Sequence, residues 1–194
     1  MRTTLIIPIL FFAFLQSTSS KVDSSTLDGK VIFGYQGWFL TPNDGNHVGF
    51  RHWSKDENSM NPNTVNIDIW PDMTEYPAST TETTDLVLSN GQPASVFSST
   101  YPEVMDLHFK WLQDYNLDGV FLQRFLGEVR DGRFFNIRNK VTTNMRAAAE
   151  KYGRTFAIMY DISGLDDTSD PFTLIQNDWN FLTGATMQVT ESKQ

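Results

Sequence analysis

Cysteine is absent from the 194 residues. Disulfides, thiol nucleophiles and cysteine-ligated metals are therefore excluded, and the fold must be held by its core rather than by covalent staples. Basic charge is scarce: 15 Lys and Arg stand against 23 Asp and Glu, for a net charge of −8. No basic run or stripe occurs, so neither nucleic acid nor a membrane is an expected partner. The three histidines, His47, His52 and His108, show no metal-ligand spacing, and His108 falls within a helical pattern as a packing or surface residue. The sequence has no glycine-rich phosphate loop, no nucleophile elbow and no kinase signature. It also lacks an Asn-x-Ser/Thr glycosylation acceptor. The acidic group Asp166, Asp167 and Asp170 does not have the spacing of a calcium loop, and Asp170 is accounted for as a helix cap. Neither a cofactor nor a metal is expected.

Apolar residues make up 40% of the chain and aromatic residues 13%, enough to build a sizeable core and too much for a disordered chain. Residues 1–20 read as a signal peptide: Arg2 is the basic end, Leu5 to Leu15 the apolar stretch, and Thr18 and Ser20 the small residues before a cleavage point at Lys21. As a helix that stretch would rise only about 16 Å, too short to cross a bilayer core of about 30 Å. No later segment is apolar for long enough either. The expected location is secreted and extracellular, with a linker over 21–29 and one domain over 30–194.

Along the domain, Val31 to Gly34 reads as a buried strand. Thr41 to Asn63 is a long loop rich in Gly, Asn, Asp and Pro, of a length that usually carries function or disorder. The alternation Val65, Ile67, Ile69 predicts a second strand ending at Trp70, and Pro71 to Gly91 is a further polar segment with room for short strands. Ala94 to Ser98 is a short strand. Thr100 with Glu103 predicts a capping box for a helix whose apolar positions are Val104, Met105, Phe109, Trp111, Leu112 and Tyr115. Gly119 to Leu122 is a continuous apolar run, as for a strand buried on both faces. A helix follows with Val141, Met145, Ala148, Ala149 and Tyr152 on one face and Gly153 past its end. Phe156 to Tyr160 predicts another buried strand, and Asp170-Pro171 opens a last helix with Leu174, Ile175, Trp179 and Leu182 toward the core.

Alternating strands and helices define an α/β fold around a parallel sheet. Gly119 and Thr155 open successive strands, so a repeat spans about 36 residues, and eight would need about 290, close to a (β/α)8 barrel. The chain holds about five at most, and its polar tail from Gly184 to Gln194 shows no further strand. A barrel truncated to about its first half is expected.

In such folds ligands bind where strands end. Those positions hold Tyr35, Gln36 and Trp38, then Asp68, Trp70 and Asp72, then Gln123, Arg124 and Glu128, then Tyr160, Asp161 and Ser163. Aromatic rings that stack on sugar faces, beside carboxylates, Arg and Gln that bond hydroxyls, are the usual composition of a carbohydrate site. A polysaccharide or glycan is the expected partner.

Five segments carry a family resemblance: Gly34-Tyr35-Gln36-Gly37-Trp38-Phe39, Ile67-Asp68-Ile69-Trp70-Pro71-Asp72, Asp106 to Trp111, Asp118 to Phe125, and Met159-Tyr160-Asp161-Ile162-Ser163-Gly164. Together they resemble a group of glycoside hydrolase family 99-like proteins, whose relatives include endo-α-mannosidases and bacterial members labelled xylosidase or arabinosidase. The resemblance covers about residues 30 to 183. It implies a (β/α)8 fold, action on α-linked or plant-type polysaccharide, and substrate binding by Tyr35, Trp38, Asp68, Trp70, Gln123, Arg124, Tyr160 and Asp161. In the endo-α-mannosidases the catalytic carboxylate pair lies in the second half of the barrel, near a Trp-Asn-Glu-Trp-type motif that this chain does not match. The carboxylates left to supply an acid/base pair are Asp161, Glu128 and Asp72. A glycoside hydrolase-like protein that acts on or binds polysaccharide is the first expectation. A non-catalytic secreted protein that binds glycans or joins the extracellular matrix is the second, and a partial product without a stable fold the third.

Overall fold

The computed structural model describes residues 20–130, 132–166, 169–185 and 187. Residues 1–19, Asp167 and residues from 188 on lie outside these, and so does all but the last residue of the segment read as a signal peptide.

Three strands, β1 (Ile32–Tyr35), β4 (Gly119–Phe125) and β5 (Thr155–Asp161), form a parallel sheet in the order β1-β4-β5. The register sets Tyr35 beside Leu122 and Leu122 beside Ile158. Helices α1 (Pro102–Asp114) and α3 (Gly132–Tyr152) cover one face of this sheet. Paired residues of parallel strands point the same way, so Tyr35, Val120, Leu122, Phe156 and Ile158 all meet the helices. Met105, Phe109, Leu112, Val141, Met145, Ala148 and Ala149 complete that core. Burial of this apolar area, at about 25 cal/mol per Å², is the main stabilising term.

The opposite face is uncovered among the described residues. There Phe121, Gln123 and Phe125 are half-buried, while Ala157 and Met159 are exposed. Two expectations need correction here. Within Gly119 to Leu122, Phe121 on the open face is only half-buried, and no residue of β5 is fully buried. An apolar run is what two covered faces require, but the sequence does not say whether both covers are present.

Between β1 and α1 lies a second, antiparallel pair, β2 (Thr81–Val87) with β3 (Pro93–Phe97). The strand expected over Val65–Trp70 does not form. Its backbone is taken by the preceding loop, with Asn66 N–H donating to Trp53 O and Lys55 N–H to Thr64 O, and Val65 makes only an isolated bridge to Ser54. The apolar side chains Val65, Ile67 and Trp70 still pack inward, onto a cluster of Phe50, Trp53, Met60, Val96, Phe97 and Val104. The long loop therefore has a core of its own. At Gly49, with φ of +100°, a Cβ would lie 2.0 Å from the carbonyl oxygen of Glu57, so only glycine fits that turn.

The capping box is also corrected. Tyr101 is the N-cap of α1 and makes no side-chain cap, and Pro102 opens the helix. Thr100 is fully buried instead, its hydroxyl accepting from Asn46 Nδ2 at 3.0 Å. After β4 a short helix, α2 (Leu126–Val129), leads toward α3, whose end is closed by Gly153 at φ of +60°. Asp170 caps α4 (Pro171–Thr183) as expected, accepting from the Phe172 and Thr173 amides. Trp179 is 43% exposed rather than in the core, and the buried residues of α4 are Asp178 and Leu182.

Candidate functional site

The sheet's C-terminal edge gathers a charged and aromatic cluster from four places in the chain. β1 runs into Gly37-Trp38, the long loop brings Arg51 and His52, α2 holds Glu128, and the second turn of α3 presents Arg138. One carboxylate joins them. Arg138 Nε donates to Glu128 Oε2 at 2.6 Å, and Arg51 Nη2 donates to Oε1 at 3.3 Å. Arg51 continues outward to Glu57 at 2.7 Å, and Arg138 Nη1 donates to the carbonyl of Gly37 at 2.9 Å. The Trp38 ring stacks on His52, with centroids 4.6 Å apart at 14°, and leans on Phe125 at 5.0 Å.

The electrostatics follow from burial and neighbours. Burial opposes the charge on Glu128, but the Arg138 hydrogen bond and the charges of Arg138 and Arg51 outweigh it and hold the carboxyl below its ordinary value. His52 is pushed down to about 4, mainly by burial and then by Arg51, so its imidazole is neutral at pH 7. His52 also has a φ of +63°, a left-handed conformation that few non-glycine residues adopt and that histidine tolerates better than most. Four buried nitrogens of this cluster have no hydrogen-bond partner among the described residues: Trp38 Nε1, Arg51 Nε, His52 Nε2 and Arg138 Nη2. Buried polar atoms are nearly always paired, and ordered water is an ordinary partner for those that protein atoms leave over.

The expected site residues separate into groups. Trp38 and Glu128 belong to the cluster. Gln123 and Asp161 lie on the uncovered face of the sheet, where Gln123 Nε2 donates to Asp161, which also accepts from the Ser163 amide at 2.7 Å. Tyr35, Arg124 and Tyr160 point the other way, toward the helices. Tyr35 OH is bonded to His108 Nδ1 at 2.6 Å, and His108 Nε2 to Tyr76 OH at 2.5 Å, in a buried relay. Arg124 is 1% exposed and forked onto Asp178, with Nε at 2.8 Å, while its other donors reach Thr142 at 3.0 Å and Asn139 at 3.1 Å. Tyr160 OH donates to the same Asp178 carboxylate at 2.8 Å. These three side chains are occupied in holding the fold. Asp68 and Asp72 are exposed on the loop before the hairpin, Asp72 accepting from Thr74, and Trp70 donates its indole N–H to Ser95 O at 3.1 Å.

Arg51, His52, Arg138 and Asp178 escaped the sequence reading. Asp178 carries a detectable signal: it sits at helical spacing with Leu174 and Leu182 on the buried side of α4, where an acid implies a buried cation. Arg138 likewise lies one turn from Val141 on the face of α3 that packs inward. Nothing local distinguishes Arg51-His52 from other loop residues. Among the described residues no group of three or more His, Asp and Glu side chains is placed to hold a metal ion.

No protein-family model matches the chain, and no curated protein does. Solved structures do. One is the endo-α-mannosidase of glycoside hydrolase family 99 from Bacteroides thetaiotaomicron, 13% identical with a TM-score of 0.44, over 81% of this chain and 39% of that one. Another is the same bacterium's enzyme in complex with bis-tris-propane, at 13% identity and a TM-score of 0.47, over 87% of this chain and 40% of that one. The chain thus spans about two fifths of the length of the structures it is similar to.

Proposed function

We propose that this chain is a secreted, glycoside hydrolase-like protein, the part of a (β/α)8 barrel formed by β1, β4, β5 and their helices, that binds a polysaccharide or glycan at the C-terminal edge of its sheet. The observation that carries this reading is the gathering of Trp38, Arg51, His52, Glu128 and Arg138, aromatic rings beside charged groups, at the strand ends where such folds bind their ligands. Among the described residues one sheet face is uncovered and no strand pairs with the outer edges of β1 and β5, which supports the barrel reading, because a sheet of this kind is covered and extended in a closed barrel.

Binding is favoured over hydrolysis by the described carboxylates. Glycoside hydrolysis needs one carboxylic acid kept protonated beside a second carboxylate. The Ser163 contacts outweigh a small burial effect and lower Asp161, and the Thr74 bonds lower Asp72. Glu128 is held ionised by two arginines. None of the three is placed to be the acid. The extracellular assignment rests on the leader sequence.

Affinity electrophoresis of the secreted protein through gels containing neutral or acidic polysaccharides tests this. Retardation by at least one polysaccharide is expected, and Trp38→Ala should weaken it several-fold, since an aromatic contact contributes about 0.5–1.5 kcal/mol beyond its area burial. A chain that no polysaccharide retards, or a Trp38→Ala variant retarded as strongly as the parent, overturns the proposal.

A further inference from the structure

The parallel sheet ends in two edges that no described strand pairs. Neither is protected as free edges usually are: Ile32–Tyr35 carries no charge and no proline, and β5 has none before Asp161. The two edges also differ in shape. In the described units a helix lies over its own strand and the following one, α1 over β1 and β4, α3 over β4 and β5. The last helix, α4, has no described strand beyond β5 to lie over. Its flank toward α3 carries Phe181, whose ring meets that of Phe135 with centroids 4.8 Å apart. Successive helical residues turn by about 100°, so Trp179 faces nearly the opposite way, and Phe172 and Ile175 share that flank with it. Phe172 is 82% exposed and Trp179 43%. At the other end no described helix precedes β1. An open apolar hollow of about 340 Å³ lies there, between β1 and the outer flank of α1, lined by Phe33, Tyr35, Trp111, Leu112, Leu117 and Val120.

We infer that these two edges are counterparts: the β5–α4 edge of one copy of the chain docks on the β1–α1 edge of a second copy, extending the parallel sheet and placing Phe172 and Trp179 in the hollow beside Phe33. Each βα unit already meets the next in this way within the chain, β1 beside β4 and β4 beside β5, all parallel. The last unit of one copy offers the first unit of another the same relation. A contact of β1 with β1 would instead set two hollows against each other and leave the aromatic flank of α4 uncovered. The contact is therefore head-to-tail, and it closes when the second copy's own β5–α4 edge meets the β1–α1 edge of the first, giving six parallel strands without a free edge. The area is of the right size. At about 150–250 Å² for a fully buried ring, the exposed parts of Phe33 (48%), Phe172 and Trp179 amount to roughly 350 Å² per chain and roughly 700 Å² per closed pair. Val31 beside Phe33, Ile162 at the end of β5 and the strand backbones add to this, toward the about 1,200–2,000 Å² of a stable interface. The pair does not depend on what the strand ends bind, so it stands or falls apart from the glycan-binding reading.

Sedimentation equilibrium of the full chain reads the assembly directly, and twice the mass of one chain is expected at micromolar concentration. Phe33→Lys alters the β1 edge, and the double variant Phe172→Lys/Trp179→Lys alters the α4 edge. All three positions are exposed, so the circular dichroism spectrum should stay that of the parent. Each variant is expected to raise the dissociation constant at least about tenfold, because it brings a charge into an apolar contact. A parent chain that sediments as a monomer overturns the inference. So does a pair that neither variant weakens, or that only one of them weakens, as a contact between two like edges would behave.

Discussion

Replacing Asp178 by alanine is expected to be the most damaging single change to the described fold. Asp178 is 4% exposed, and its carboxylate takes both the Nε and Nη2 donors of Arg124 and the hydroxyl of Tyr160. Alanine would leave the Arg124 guanidinium, itself 1% exposed, with a full charge and only Thr142 and Asn139 as partners. Breaking a buried pair from one side costs about 3–5 kcal/mol, against a total stability of about 5–15 kcal/mol for an ordinary domain. For a chain of this size that corresponds to a melting temperature lower by about 6–20 °C. Thermal unfolding followed by circular dichroism, with a urea titration at 25 °C, gives both numbers. Removing both charges in Arg124→Met/Asp178→Leu should recover most of the loss, since no uncompensated charge then remains. A loss below about 1 kcal/mol in Asp178→Ala would refute the reasoning, because it would mean that the pair is reached by water. A double variant as unstable as the single would show that shape rather than charge is at stake.

Two other changes probe the parts that support the site. His108 is pushed down to about 4 by burial, against about 6.5 in an unfolded chain. Because the folded value is the lower one, stability is full above about pH 6.5 and falls by about 3 kcal/mol as the pH drops toward 4. His108→Gln should remove about half of the slope in that part of the pH profile of urea unfolding, His52 supplying the rest, and an unchanged slope would show that His108 is not one of the groups responsible. Gly49→Ala places a Cβ against the Glu57 carbonyl at a φ of +100°. It should destabilise by about 1–3 kcal/mol and weaken glycan binding through Arg51, while normal melting with normal binding would show that the turn yields freely.

Much of the framework is legible in the residues because periodicity reports burial directly. The helix over Gly132–Tyr152, the strand at Gly119 and the Asp170 cap lie where their patterns place them. Patterns fail where side chain and backbone part company. Val65, Ile67 and Trp70 bury their side chains as a strand would, but their amides serve a loop, so alternation alone is misleading. Thr81–Val87 shows the opposite case: a Thr-rich, half-exposed segment reads only as polar chain with room for short strands, and it pairs with β3 through a register shift between Thr83 and Val87. In the candidate cluster, Trp38 and Glu128 are the two residues that the strand-end rule also picks out. Arg124 and Tyr160 satisfy the same rule but point toward the helices, since strand position fixes height along the sheet while the alternation of side chains fixes the face. Arg51 and His52 arrive by tertiary packing of a loop, which no local pattern encodes.

The loop that delivers Arg51 and His52 is packed before any ligand arrives. Phe50, Trp53 and Met60 anchor it against β3 and α1, and Trp53 Nε1 is fastened to the Phe97 carbonyl at 2.8 Å. Its backbone freedom has therefore been given up during folding rather than at the moment of association. Ordering a flexible side chain on binding costs about 0.5–1.5 kcal/mol, and whole loops cost more. A site built in this way keeps nearly all of its contact energy as affinity, and its rate of capture is set by diffusion and orientation rather than by a loop that must first find its shape.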